Sequence, residues 1–348
     1  MSLPALSRRR VLFTGAAVGA GALVASCTSN ESSDSSAPVA AAGQSEEAGP
    51  DVTIGFSAPA ADHGWIAAIT QNASAQAESF PDVTLEATEG TNDVNQQIAQ
   101  VETLINSGPD ALVILPFDGS ALTEVGRQAM DAGIPVVNLD RIFDTPFAYR
   151  TWIGGDNYGM GVSAGRYIAE RLTAAGVSDP VIGEIAGIDS LPLTQQRSQG
   201  FRDALQAAGF AVGPRVSAEF TAESGEEQTS NLLQGAPRLD ALWNHDDDQG
   251  IGVLAAIDSA GRSEFFMVGG AGSRNAMDLI QADSGVLKAT VLYSPSMASS
   301  GVALARALGQ ARNLGGLAER DVPASITTYS AVVTNENVAD YLDVGFQS

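Results

Sequence analysis

The sequence predicts a doubly wound α/β protein built from two parallel-sheet lobes joined by a hinge. Three observations carry that expectation. Short β-branched runs alternate with longer helical patterns along residues 51–348. Several runs, such as Ala111-Leu112-Val113-Ile114-Leu115, are apolar throughout, as strands in the middle of a helix-covered parallel sheet are. The alternation then restarts after Trp152-Ile153-Gly154-Gly155, so a second sheet follows the first.

Taken in order, Val52 to Phe56 reads as a strand, Trp65 to Ser79 as a helix, Val83 to Thr88 as a strand and Val94 to Asn106 as a helix. The buried strand Ala111 to Leu115 follows, then a helix from Gly119 to Ala132 and a strand from Ile134 to Asn138. Beyond Gly155 come a helix from Asn157 to Ala174, a strand from Val181 to Ile185, a helix from Leu193 to Ala208 and a strand from Arg215 to Phe220. The series closes with helix Glu226 to Leu233, strand Ala241 to Asn244, helix Gln249 to Ser259, strand Phe265 to Val268, helix Asn275 to Ala282 and strand Ala289 to Tyr293. Two such sheets leave a crevice between the carboxyl ends of their strands, and a ligand is expected there.

The amino-terminal segment sets the expected address. Ser7-Arg8-Arg9-Arg10-Val11-Leu12 is a basic start of the twin-arginine kind, and an apolar stretch from Val11 to Val24 follows it. That stretch is shorter than the roughly 20 residues that span a bilayer, and its glycines weaken a helix. Val24-Ala25-Ser26-Cys27 looks like a lipobox, which makes residues 1–26 a signal peptide and Cys27, the only cysteine, the lipid-attachment residue. Residues 27–50 lack large apolar side chains except Val39 and read as a flexible tether. The chain is thus expected to be exported and lipid-anchored on the outer side of the cytoplasmic membrane.

Charge and composition exclude other classes. A formal net charge of −23 repels nucleic acid and anionic lipid surfaces. With only His63, His245 and the anchored cysteine, the chain offers a poor transition-metal set, and its acids do not fall at calcium-loop spacing. No metal and no cofactor are expected.

Two enzyme-like motifs are set aside. Gly161-Val162-Ser163-Ala164-Gly165 fits the nucleophile-elbow pattern, but it falls inside the expected helix from Asn157 rather than at a strand-to-helix turn. Gly269-Gly270-Ala271-Gly272 follows a strand, yet Asn275 stands where the third dinucleotide-binding glycine belongs. The chain is not expected to be an enzyme.

Candidate ligand residues are those just beyond the strands: His63, Trp65, Asp140, Arg141, Arg197, Phe220, Asp246 with its neighbours Asp247 and Asp248, and Tyr293. Aromatic faces, carboxylates and guanidinium forks suit a polyhydroxylated ligand, whose C–H faces stack and whose hydroxyls both donate and accept. Asp246-Asp247-Asp248 also fits the acid-rich start of a helix.

On these residues the chain resembles the periplasmic sugar-binding proteins of the ribose and galactose type, which feed ATP-driven importers. The resemblance runs from about Asp51 onward. It rests on Val136-Val137-Asn138-Leu139-Asp140-Arg141, Gly155-Asp156-Asn157, Arg197-Ser198-Gln199-Gly200-Phe201 and Ala289-Thr290-Val291. It implies a periplasmic binding protein-like fold of type I, with an N-terminal lobe of residues 51–155 plus 294–327 and a C-terminal lobe of residues 156–293 plus 328–348. Asp140 and Arg141 then fall on the family's Asp-Arg pair, Arg197 on its second-lobe arginine, and Trp65 and Phe220 on its opposed stacking aromatics. His63 takes a neighbouring polar position, Asp246 a position usually Asn or Asp, and Tyr293 a hinge position usually Gln.

One departure stands out. The family commonly has Asp where Ala271 stands, and a ligand hydroxyl left unpaired there costs roughly 1–3 kcal/mol. The ligand is therefore expected either to lack that hydroxyl or to place it on Asp246 or Asp247, which points to a modified, smaller or open-chain polyol. The resemblance further implies capture by lobe closure, delivery to an ABC permease and a monomer. A sensor subunit on the same core is the alternative; a transcription regulator would need a DNA-binding start in place of the export signal.

Overall fold

A computed structural model describes residues 48–312 and 321–348, so the signal peptide, Cys27 and nearly all of the tether lie outside the described residues. The first sheet contains β1 (Val52–Ser57), β2 (Val83–Ala87), β3 (Ala111–Ile114), β4 (Val136–Leu139), β5 (Thr151–Gly155) and β11 (Ser325–Thr328). The second contains β6 (Ile182–Ala186), β7 (Val212–Ser217), β8 (Ala241–Asn244), β9 (Phe266–Ala271), β10 (Leu287–Leu292) and β12 (Val332–Thr334).

Their orders are β11-β5-β4-β3-β1-β2 and β12-β10-β9-β8-β6-β7, the same pattern twice. All pairings are parallel except the edge pair of β10 with β12, where Thr290 faces Val333. The middle strands β3 and β8 are buried along their whole length, β3 as an unbroken apolar run and β8 as three apolar residues closed by Asn244.

Nine helices are described: α1 (Gly64–Ser79), α2 (Val94–Ser107), α3 (Gly119–Asp131), α4 (Asn157–Ala174), α5 (Pro192–Ala207), α6 (Ala222–Gly235), α7 (Asp247–Ser259), α8 (Arg274–Ala282) and α9 (Met297–Gly309). Most start on a side-chain cap: Asp93, Asp118, Asp156, Thr221, Asp246 and Ser273 each accept from a backbone N–H in the first turn. Helix α1 lacks such a cap, because the extended residue before it, His63, makes no capping hydrogen bond.

The chain crosses between the sheets three times: from β5 into α4, from β10 into α9, and from β11 into β12. Helix α9 was not legible as a helix in the sequence. It packs on the first sheet, with Val302, Leu304 and Ala305 buried and Gly301 lying against Leu139 and Val113. A buried ion pair fastens it: Arg306 Nε and Nη2 donate to the two oxygens of Asp82, each at 2.7 Å. The Arg306 guanidinium holds the Asp82 carboxyl well below the usual carboxylate range.

Other differences are small but bear on the site. Strand β7 ends at Ser217, so Phe220 stands in the loop beyond it rather than in the strand. Strand β9 extends to Ala271, three residues past its expected end. The Gly161–Gly165 motif lies within α4, and a side chain on Gly161 would strike the Arg197 carbonyl, 2.0 Å from the Cβ position. Those small residues let α4 and α5 pack closely.

Candidate ligand site between the lobes

The loop that follows β4 is built by Asn138. Its fully buried amide donates to the Arg141 carbonyl at 3.1 Å and accepts from Phe143 N at 3.0 Å. Asp140 N donates to Ile153 O at 2.9 Å, and the Trp152 indole donates to Asp140 O at 2.9 Å. This bracing holds Asp140 at φ 55°, a left-handed conformation, and turns its carboxylate toward the other lobe.

Phe220 and Ala271 repeat that device at φ 62° and φ 84°. Among the described residues, three of the five non-glycine residues with positive φ thus lie beside this one crevice. Backbone strain of this kind persists where surrounding structure fixes it, and it concentrates at functional sites.

One cavity is lined by His63, Trp65, Asp140, Arg141, Leu193, Arg197, Phe220, Asp246, Ala271 and Tyr293. Eight of the ten candidates therefore come together, and Asp247 and Asp248 do not line the cavity. Leu193 and Asn157 were missed. Leu193 packs with Leu191 against Phe220, and Asn157, flagged only as part of a crossover motif, ties two site residues together.

That tie is a chain of hydrogen bonds. Arg197 Nε donates to Asn157 Oδ1 at 2.8 Å, Asn157 Nδ2 donates to Tyr293 Oη at 3.1 Å, and Tyr293 Oη donates to Asp140 Oδ1. Arg197 also donates to the His245 carbonyl at 3.2 Å, and its guanidinium lies 4.6 Å from the Tyr293 ring centroid. Burial and the Asp140 carboxylate push the Tyr293 phenol well above its ordinary range, so it is a donor at all ordinary pH. Trp65 faces Tyr293 at 5.9 Å between centroids, and its indole N–H donates to Tyr293 O at 2.8 Å.

Arg141 donates to Phe117 O at 2.6 Å, and its Nε is buried without a hydrogen-bond partner among the described residues. It borders a second, outer cavity of about 190 Å³, which also meets Asp118, Ser120, Trp152, Ser190 and Gln196. The inner cavity is only about 30 Å³, room for about two waters. The lobes are closed upon each other, and the site's polar groups bond among themselves.

The three acids after β8 do three different things. Asp246 lines the cavity while one oxygen caps α7, and burial together with Asp248 and Asp247 pushes its carboxyl up. Asp247 points away, accepting from Gly270 N, Gly272 N, Ser273 N and Thr290 Oγ1 at 2.8–2.9 Å. Burial pushes it up to about 7 even against these four donors. The expectation that Asp247 could replace the acid missing at Ala271 is thereby corrected: its oxygens are already used inside the second lobe. Asp248 reaches the first lobe instead, where Oδ2 accepts from Trp65 N at 2.8 Å.

Below the cavity floor, His245 Nε2 meets Glu184 Oε1 at 3.0 Å, with Ser198 donating to the same oxygen and Arg215 beside the other. Burial pushes the His245 imidazole down, keeping it neutral. Burial also works against the Glu184 anion, but His245, Ser198 and Arg215 outweigh it and hold that carboxyl below its usual range.

Two like lobes, strand ends that meet at one crevice, and a lining of aromatic rings, carboxylates and arginines define a solute-binding protein of the two-lobed type. The chain matches the periplasmic binding protein domain over residues 54–313 and belongs to that family. It is 35% identical over 215 residues to a D-ribose/D-allose-binding protein of Pseudomonas aeruginosa, covering 60% of this chain and 66% of that protein. It is 32% identical over 206 residues to the ribose import binding protein of Bacillus subtilis, covering 59% and 65%. The matches thus span about two thirds of the length of these curated relatives. Among solved structures, a galactofuranose binding protein superposes with a TM-score of 0.74 at 25% identity, over 84% of this chain and 97% of that one.

Proposed function

We propose that the chain is an extracytoplasmic solute-binding lipoprotein that captures a sugar or sugar-like polyol between its lobes and delivers it to an ABC importer permease. The observation that carries this reading is the convergence of Trp65, Phe220, Asp140, Arg141, Arg197, Asp246 and Tyr293 on one cavity between the two sheets. Trp65 and Phe220 supply stacking faces; Asp140 and Asp246 accept from hydroxyls; Arg141 and Arg197 donate to ring or hydroxyl oxygens. His63 lies at the rim, bonded to Asp62 at 2.6 Å.

Export would follow the twin-arginine-type start, with Cys27 as the acylated anchor and the protein working as a monomer without cofactor or metal. Ligand binding would exchange the bonds the site makes with itself for bonds to hydroxyls. The Tyr293 hydroxyl leaves Asp140, the lobes part and reclose, and the closed pair of lobes presents one surface to the permease. The methyl group of Ala271, 2% exposed and facing the cavity, offers no acceptor, which favours a small or modified polyol over plain ribose or galactose.

A thermal-shift screen of pentoses, hexoses, deoxysugars and polyols tests this. A ligand at 100 times its dissociation constant adds about 2.7 kcal/mol of stability. A hit that vanishes in Arg141→Ala or Arg197→Ala supports the reading; folded protein with a blank panel contradicts it.

A further inference from the structure

Helix α1 carries Trp65, yet it begins without a cap of its own, since His63 offers no side-chain acceptor to the first turn. The first N–H groups of a helix have no intrahelical partner and need one from outside. Here the acceptor comes from the opposite lobe. Asp248 Oδ2, in the first turn of α7 on the second sheet, accepts from Trp65 N at 2.8 Å, and the residue is 3% exposed.

The seam around this bond is tight. The second oxygen of Asp248 is buried beside Gly64 and Ser348. A Cβ added to Gly64 would lie 2.7 Å from that oxygen, 2.4 Å from Gln347 O and 2.6 Å from Ser348 Cα. Residues 346–348 reach this point along the second lobe: Phe346 bridges to Ser273 and accepts from Arg274 N at 2.6 Å, and Asn275 Nδ2 donates to Ser348 O at 3.2 Å. Gly64 is the residue that admits both Asp248 and this segment.

We infer that Asp248 is a positioning residue: it caps the Trp65 helix from the other lobe, so that closing the lobes completes helix α1 and fixes Trp65 in the cavity. In an open arrangement the Trp65 N–H returns to water and the buried Asp248 oxygen is rehydrated, so the cap forms only on closure. Asp248 does not line the cavity, which separates it from Asp246 two residues earlier. Its role in ligand capture rests on the sugar-binding reading; the cap between lobes does not.

The test uses the full chain without ligand, so failure here is distinguishable from failure of the sugar reading. Amide hydrogen exchange at Trp65 and small-angle scattering are measured on wild type, Asp248→Ala, Asp248→Asn and Gly64→Ala. Loss of an N-cap acceptor corresponds to about a fivefold loss of protection, so Asp248→Ala exchanges Trp65 N–H about five times faster and expands the molecule. Asp248→Asn keeps an acceptor oxygen and retains most of the protection.

Gly64→Ala keeps Asp248 but crowds the seam. It also expands the molecule, although alanine is the better helix former and would raise protection if α1 acted alone. Unchanged Trp65 exchange in Asp248→Ala, equal loss in Asp248→Asn, or increased protection in Gly64→Ala overturns the inference.

Discussion

The Tyr293 hydroxyl donates to the Asp140 carboxylate across the floor of the crevice, joining the end of β10 to the end of β4. Asp140 is a residue expected to accept from a ligand hydroxyl, so the closed site bonds to itself where a ligand would bond.

Tyr293→Phe separates the two roles. The variant loses the bond to Asp140 and removes the acceptor for Gly155 N and Asn157 Nδ2. Stability in urea should fall by about 1–3 kcal/mol, while a hydroxylated ligand that meets Asp140 alone should bind more tightly, since no phenol has to leave. A variant as stable as wild type would remove Tyr293 from this account.

Ala271→Asp should restore the acceptor that the ribose and galactose type carries. Asp tolerates positive φ better than Ala, so φ 84° is no obstacle. Plain ribose or galactose, weak or silent on the wild type, should gain about tenfold in affinity by titration calorimetry, the value of one modest charge-assisted hydrogen bond. No gain in either sugar would mean that another group already serves that hydroxyl.

Asp82→Asn probes the packing of α9. Asn keeps an acceptor oxygen but loses the charge that Arg306 meets, and a hydrogen bond to a charged group contributes about 1.5–3 kcal/mol. Asp82 is 4% exposed and receives two bonds from Arg306 as well as one from Gln310 at 2.8 Å. Denaturant titration should show a loss of that size; a loss under about 1 kcal/mol, the range of surface pairs, would contradict the assignment.

The pH dependence has two opposed parts. Asp246, Asp247 and Asp248 have raised carboxyls, Asp247 near 7, so the folded state holds protons that the unfolded chain has released. Their contribution makes stability fall as pH rises from about 4 to about 7. Neutral, buried His245 acts oppositely: the unfolded chain gains its proton near pH 6.5 and the folded state does not, so stability falls as pH drops through that value. In His245→Gln, whose amide still reaches Glu184, only the first part remains. Its melting temperature should rise when pH is lowered from 7.5 to 5.5, and a fall would refute the assignment.

Most strands were legible because they are short apolar runs bounded by polar or glycine residues, and strand ends carry the ligand residues in such a fold; the edge strands β11 and β12 were not, Ser325–Thr328 being mostly polar and Val332–Thr334 only three residues long. What escaped the sequence depended on tertiary partners. Helix α9, from Met297 to Gly309, is rich in Ala, Ser and Gly and carries a single charged residue, Arg306, because it is buried on one side by the sheet and on another by α1. Asn157 reads as an ordinary helix start, and only the fold brings it between Arg197 and Tyr293. The run Asp246-Asp247-Asp248 is uniform in sequence, yet a helix turns successive side chains by about 100°, which sends one acid to the cavity, one into the lobe and one to the opposite lobe.

The most direct measurement is a calorimetric titration of the strongest hit from the sugar and polyol panel into wild type and Arg197→Ala. Arg197 is 4% exposed, bonded to Asn157 and stacked on Tyr293, so no other surface can supply its contacts. One site per chain on the wild type, with binding lost in folded Arg197→Ala, is the predicted result. Equal affinity in both proteins would place the ligand elsewhere and contradict capture between the lobes.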